Sequence, residues 1–323
     1  MRQKFDPPQK KNPDPFAIRI ESLNATHELT VGTSHAESTA ARRTSRLGIW
    51  RTLYLLALRQ HLHGRRWIVV VILFLLPAGL ALVIRATGAE APGRMLEFVL
   101  SWILIPQALL PLVALLYASG IIQDEQEEQT ITYLLVRPIP KWMVYVVKMV
   151  AMWTTSVVLV TVLSLLTFLA IYAGSDTELS SVLVRFLKTS AILSLAVVAY
   201  CGLFGVMSLV TKRVLVVGVL YTAVVEGLLA SLPLSVRMAT IIYYTRLVAY
   251  RTLDFVVTWP RGREDDVAAD AWYFDPVQDP GLAEHPQLRT CILVLLGVAI
   301  VCTAIGAWIS TQREFHVKTP EKE

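Results

Sequence analysis

Six stretches of this sequence, residues 67–84, 98–122, 147–173, 189–210, 214–232 and 291–309, stay apolar for close to the length a helix needs to cross a membrane. At about 1.5 Å per residue, about 20 residues cover the roughly 30 Å hydrocarbon core. A backbone in that layer must satisfy its own N–H and C=O groups, so each stretch is expected to be helical. This constraint alone predicts an all-α membrane protein of about six transmembrane helices. The composition agrees: 54% of the 323 residues are hydrophobic and 17% charged, with a mean hydropathy of +0.54. A soluble domain spreads its apolar residues at core periodicity and does not gather them into runs.

The net charge of +5 is no nucleic-acid footprint. Most of the 30 Lys and Arg residues flank the apolar runs, without a basic stripe carrying interleaved aromatics. With both termini cytoplasmic, the short inner segments collect most of them, which is the positive-inside pattern of a multi-pass protein in a bacterial-type inner (plasma) membrane. Cys201, Cys291 and Cys302 all fall in apolar runs. An odd number so placed reads as small packing residues, not as a disulfide framework or metal site.

Residues 1–46 hold Pro7, Pro8, Pro13 and Pro15 among scattered charges and no apolar core of a secretion signal. They read as a disordered cytoplasmic tail, because they bury too little apolar surface to offset their ordering entropy. Residues 47–323 form the transmembrane domain. Within 47–66, Trp50, Leu53, Tyr54, Ala57, Leu58 and Leu62 recur at helical spacing among Arg51, Arg59, Arg65 and Arg66. That pattern predicts an interfacial helix with its arginines at the lipid headgroups, the plainer alternative being an extension of the first span.

An outer loop covers residues 234–288. Its first half, through Ile241, Ile242, Tyr243, Tyr244 and Leu247, is apolar enough to rest on the membrane or re-enter it. Its second half carries Asp265, Asp266, Asp270, Asp275 and Asp279. These lack the spacing of a calcium loop, so a solvated loop is expected and no metal site. Glu226 lies inside the fifth stretch, where a carboxylate must face protein or water. It lines a translocation path, carries a proton or contacts a cation, or else it pairs with Arg237, Tyr200 or Tyr221 and holds spans together.

Between the second and third spans, residues 120–141 read GIIQDEQEEQTITYLLVRPIPK. Acidic residues at a helix start suit the macrodipole. Ile131, Leu134 and Leu135 form one apolar face, and Pro138 and Pro140 stop the helix. A short amphipathic cytoplasmic helix held between two spans is predicted, suited to passing force from a docked soluble partner. The segment resembles the signature of type-2 ABC exporter permeases. Ser119 and Gly120 open it, Glu125 and Glu127 supply the acid pair, and Thr130, Leu134, Leu135, Pro138 and Lys141 follow at matching spacing. Gln129 stands where that family usually has Gly.

The resemblance implies a permease that dimerises, as a homodimer or heterodimer, and docks a separate ABC ATPase through this helix. ATP and Mg would then be bound by the partner, with no cofactor in this chain. None of the 16 glycines is followed by Lys, so the chain has no phosphate-cradling loop. Enzymatic constellations such as His-Glu-x-x-His or Gly-x-Ser-x-Gly are absent. The chief rival is a secondary transporter or other polytopic protein working without an ATPase, which would use broken helices and an inverted repeat. No clear repeat between the halves supports it.

Overall fold

The computed structural model describes residues 46–63, 66–87, 92–127, 140–175, 177–231, 235–258, 263–272, 274 and 286–312. The predicted amino-terminal tail lies outside the described residues. The chain divides between Thr52 and Leu53. The described part of the first unit is the opening of helix α1 (Arg46–His63), where the Thr52 hydroxyl donates to the Gly48 carbonyl at 3.0 Å.

Among the described residues of the second unit, five helices are long and apolar enough to cross a membrane. They are α2 (Arg66–Ala86), the continuous helix Gly93–Gly120, α5 (Lys141–Tyr172), α6 (Leu179–Val210) and α10 (Leu288–Gln312). The second of these is composite: α3 (Gly93–Glu97), a π-helical segment Phe98–Leu109, and α4 (Leu110–Glu127). Pro106 lies inside the π segment. Its missing N–H and its ring disfavour the ordinary i to i−4 register, and the wider π register takes up the difference. The chain is an all-α membrane protein.

Several helices run past the ends set by hydropathy. Charged residues end an apolar count, but they do not end a helix when they find partners. α6 begins ten residues before the predicted fourth span and passes through Arg185 and Lys188, both hydrogen-bonded to other elements. α5 begins at Lys141 because Pro140, extended at φ −65° and ψ 134°, sets its start.

The fifth predicted span differs most. It is a shorter apolar helix, Val214–Leu228. It comprises α7 (Val214–Tyr221) and a π segment Thr222–Leu228, followed by 3-10 turns at Leu229–Ser231 and Ser235–Ala239. A second short helix follows, α8 (Ile241–Thr252). An antiparallel hairpin pairs β1 (Val256–Thr258) with β2 (Glu264–Asp266), with Val257 opposite Asp265, and runs into α9 (Val267–Trp272). The described residues of the segment 234–288 are therefore largely folded. Val257 is buried, and Phe255, Trp272 and Phe274 join the core as a cluster of edge-on and tilted rings with Phe98 and Trp102.

α6 is the most buried of the five long helices and packs against α4, α5, α8 and α10. Its contact with α10 is close: a Cβ placed on Gly202 would lie 3.0 Å from the Ala299 backbone. Small residues replace hydrophobic driving force as the basis of helix association in lipid. The opposite pattern covers the periphery, where α2 exposes Ile72 and Val83 and α10 exposes Leu293, Ile300 and Trp308. Large side chains facing outward on spanning helices are at home in lipid and would be a liability in water.

Candidate functional site

The break in the fifth segment is organised around one carboxylate. Glu226 is fully buried in the π segment. Four donors reach it. The Tyr200 hydroxyl of α6 donates to Oε2 at 2.9 Å and the Tyr221 hydroxyl of α7 donates to Oε1 at 3.1 Å. The backbone N–H groups of Ile241 and Ile242 donate to Oε1 and Oε2 at 3.1 and 2.9 Å. The third amide of α8, that of Tyr243, donates to the Thr240 hydroxyl at 3.3 Å. A helix start leaves its first amides without intrahelical acceptors and carries partial positive charge. Here Thr240 caps in the usual local way, and a glutamate from another segment supplies the rest. Of the partners weighed from sequence, the two tyrosines are the ones that donate to Glu226. Arg237 donates from Nη1 to the Trp272 carbonyl at 3.3 Å and lies over the Tyr243 and Phe274 rings.

The depth of this contact follows from helix length. Tyr200 stands ten residues from the end of the 32-residue α6, about 15 Å along its axis. α8 therefore begins near the middle of the bundle. It ends at the level where Lys188 Nζ donates to the Thr252 carbonyl at 3.1 Å, nine residues from the start of α6. α7 with its π segment and α8 are two half-length helices meeting at Glu226.

At the far ends of the helices lies a second polar cluster that sequence reading missed. Glu97 is fully buried. The Tyr172 hydroxyl donates to its Oε2 at 2.6 Å, Arg185 Nη2 donates to Oε1 at 3.0 Å, and Arg185 Nε reaches Oε2 at 3.0 Å. Arg185 Nη1 also donates to the Asp254 carbonyl at 3.2 Å, and Arg94 Nη1 to that of Val256 at 3.1 Å. These bonds join the ends of three long helices to the strand that follows α8. The available signal was an acid at one apolar boundary and a base just before another.

The predicted coupling residues are divided by what is described. Gly120 is buried in α4, and the α4 backbone runs on through Glu125 and Glu127. Thr130, Leu134, Leu135 and Pro138 lie outside the described residues. The segment 47–66, expected as an interfacial helix, is helical through His63 as α1. From its second-unit part, Ala57 is buried, the Tyr54 hydroxyl donates to Thr154 Oγ1 at 3.1 Å, and His61 packs edge-on to Tyr117. The hairpin aspartates have local duties: Asp266 accepts from the Ala268 and Ala269 amides, and Asp265 accepts from Arg263. Among the described residues no group of three or more His, Cys, Asp or Glu stands close enough to hold a metal ion.

Long apolar helices around an internally satisfied polar break define an integral, multi-pass membrane protein. The model of the ABC-2 family transporter proteins matches residues 62–229, from the end of α1 to the 3-10 turn after Glu226. The chain belongs to that family and is an ABC transporter permease. Among curated proteins no relative matches it.

Proposed function

We propose that this chain is the membrane-spanning permease subunit of an ABC-type exporter, in which a separate ATPase subunit binds ATP and Mg and drives translocation. The observation that carries the reading is the family match, which covers the segment between α4 and α5 where Glu125, Glu127, Thr130, Leu134, Leu135 and Pro138 stand at signature spacing. The ATPase docks there, with Gly120 opening the segment. Two permease copies, alike or different, form the path. The protein sits in a bacterial-type inner membrane with both termini cytoplasmic, and it performs no ATP hydrolysis itself.

The broken fifth segment is a feature that secondary transporters also use, with half-helix N-termini aimed at an anionic substrate. In this chain the N-terminus of α8 is already filled by Glu226. That occupancy favours the permease reading and gives Glu226 a holding role beside the translocation path.

Co-expression with a candidate ABC ATPase tests the docking. Wild-type chain should co-purify with the ATPase. The triple variant Glu125→Ala, Glu127→Ala, Leu134→Ala should lose the ATPase while remaining monodisperse. Unchanged co-purification and transport in the triple variant sink the docking proposal.

A further inference from the structure

Arg246 stands at a depth where a guanidinium is rarely found. It lies five residues into α8, about 7.5 Å along the axis from the amides held by Glu226. Its Nη2 donates at 3.3 Å to Oε1 of Gln107, which lies at the middle of the 28-residue helix Gly93–Gly120. A cation at this level must face protein or water, because hydrocarbon offers it neither counter-charge nor acceptor.

Glu226 attracts its charge from a distance, but among the described residues no carboxylate forms an ion pair with it. The Gln107 amide is neutral, the Arg246 guanidinium lies 5.9 Å from the centre of the Trp272 ring, and its buried Nε has no acceptor. Arg237 donates to the carbonyl of the same Trp272, so two guanidiniums converge on one residue. Among the described residues the fully buried carboxylates are Glu97 and Glu226. The first is held by Arg185 and Tyr172, and the second is saturated by four donors. Arg246 and Gln107 are each only half-buried, and the neighbouring Ala108 is exposed, so the pair opens outward from the core.

We propose that Arg246, with Gln107 and Trp272 beside it, is an anion-binding element of the translocation path, and that the substrate carries a phosphate- or carboxylate-type group past it. Arginine is suited to this because its planar fork of donors matches both oxyanions. The proposal rests on the permease reading above. Arg246 and Trp272 fall beyond residue 229, outside the part of the chain matched by the family model, while Gln107 lies within it.

The test uses the full-length chain in its complex with the ATPase, with Cys201, Cys291 and Cys302 replaced by Ala and Gln107→Cys as reporter. Its modification rates by an anionic and a cationic methanethiosulfonate are each divided by the rate for a free thiol. With Arg246 present, the anionic reagent should react about tenfold faster than the cationic one, the effect of a unit charge across a partly desolvated contact. Arg246→Lys should keep that preference and Arg246→Gln should abolish it. If Arg246→Gln does not fold, the preference with native Arg246 and its retention in Arg246→Lys still decide. No reaction with either reagent, or equal rates, overturns the proposal.

Protection separates the sources of the anion. Slowing by dodecyl phosphate alone assigns an amphiphilic substrate. Slowing by inorganic phosphate as well assigns a water-soluble one, and protection by neither overturns anion binding. ATPase co-purification is scored on the same samples. Its loss with an intact reagent preference counts against the permease reading alone, and the reverse counts against the anion site alone.

Discussion

Replacing Glu226 tests whether one side chain holds the break in the fifth segment together. Four donors converge on the carboxylate, two hydroxyls and two backbone amides, at 2.9 to 3.1 Å. Hydrogen bonds inside membrane proteins average about 0.6 kcal/mol each and reach about 1.7. Four of them bracket the Glu226→Ala effect between about 2 and 7 kcal/mol, and the charge and full burial favour the middle of that range, about 4 kcal/mol. Glu226→Gln is the sharper probe. Its single carbonyl oxygen serves one hydroxyl and one amide, while its NH2 group meets the other amide donor to donor and leaves the other hydroxyl to turn and accept. About half the stabilisation is then lost, about 2 kcal/mol.

The readout is local. The Ile241 and Ile242 amides should be protected from hydrogen exchange in the wild type, since both are buried and bonded. A loss of about 2 kcal/mol corresponds to about 30-fold faster exchange in a peptide covering the start of α8. Tyr200→Phe serves as the control. It removes one donor but leaves both amides capped, so exchange there should change by less than about threefold. Unaltered exchange in Glu226→Gln refutes the capping argument. Equal acceleration in Tyr200→Phe refutes it too, by showing that packing around the ring and not the cap governs this helix.

The remaining tests concern charge pairing and close packing. Arg185→Gln leaves Glu97 fully buried without its cation and should destabilise by about 3–5 kcal/mol in thermal denaturation. The double variant Glu97→Gln, Arg185→Gln should cost less than the sum of the singles, and strict additivity would remove the case for a coupled pair. Gly306→Ala drives a methyl into the Tyr145 ring and should cost about 1–3 kcal/mol. Gly297→Ala on the same helix meets nothing within 4 Å and should be neutral or stabilising by up to about 1 kcal/mol in the same assay.

The lipid-crossing helices were legible because their cause is one-dimensional: a run of apolar side chains and a backbone that has nowhere else to bond. Their ends were not, because an end depends on partners distant in sequence. Arg185 and Lys188 stop an apolar count, yet α6 runs through them since Glu97 and the Asp254 and Thr252 carbonyls take up their charge. Glu97 itself drew no notice at an apolar boundary, where an acid is unremarkable until its burial is known. Within the polar loop the aromatics Trp272 and Phe274 are core residues, and no local period announces that. Of the candidate site, Tyr200 and Tyr221 were readable beside Glu226 from their place in apolar runs. The two amides from α8 were not, since backbone donors have no sequence signature.

The fifth segment shows why two costly features can coexist in one apolar run. A continuous helix from 214 to 232 would leave Glu226 facing neighbours with a charge and too few donors, a cost of about 2.5–3.5 kcal/mol on insertion scales. A helix broken at mid-depth without Glu226 would leave the opening amides of α8 unbonded where water is scarce, at several kcal/mol per group in the worst case. Together each removes the other's penalty: the break exposes amides, and the carboxylate accepts them. A short helix is thereby held at membrane depth with Arg246 about one and a half turns from its start. An apolar residue at position 226 would suit an unbroken span better, but it would leave no acceptor for α8 and no fixed mount for that guanidinium. The acid that looks least at home in this stretch is what lets the chain place a cation beside Gln107.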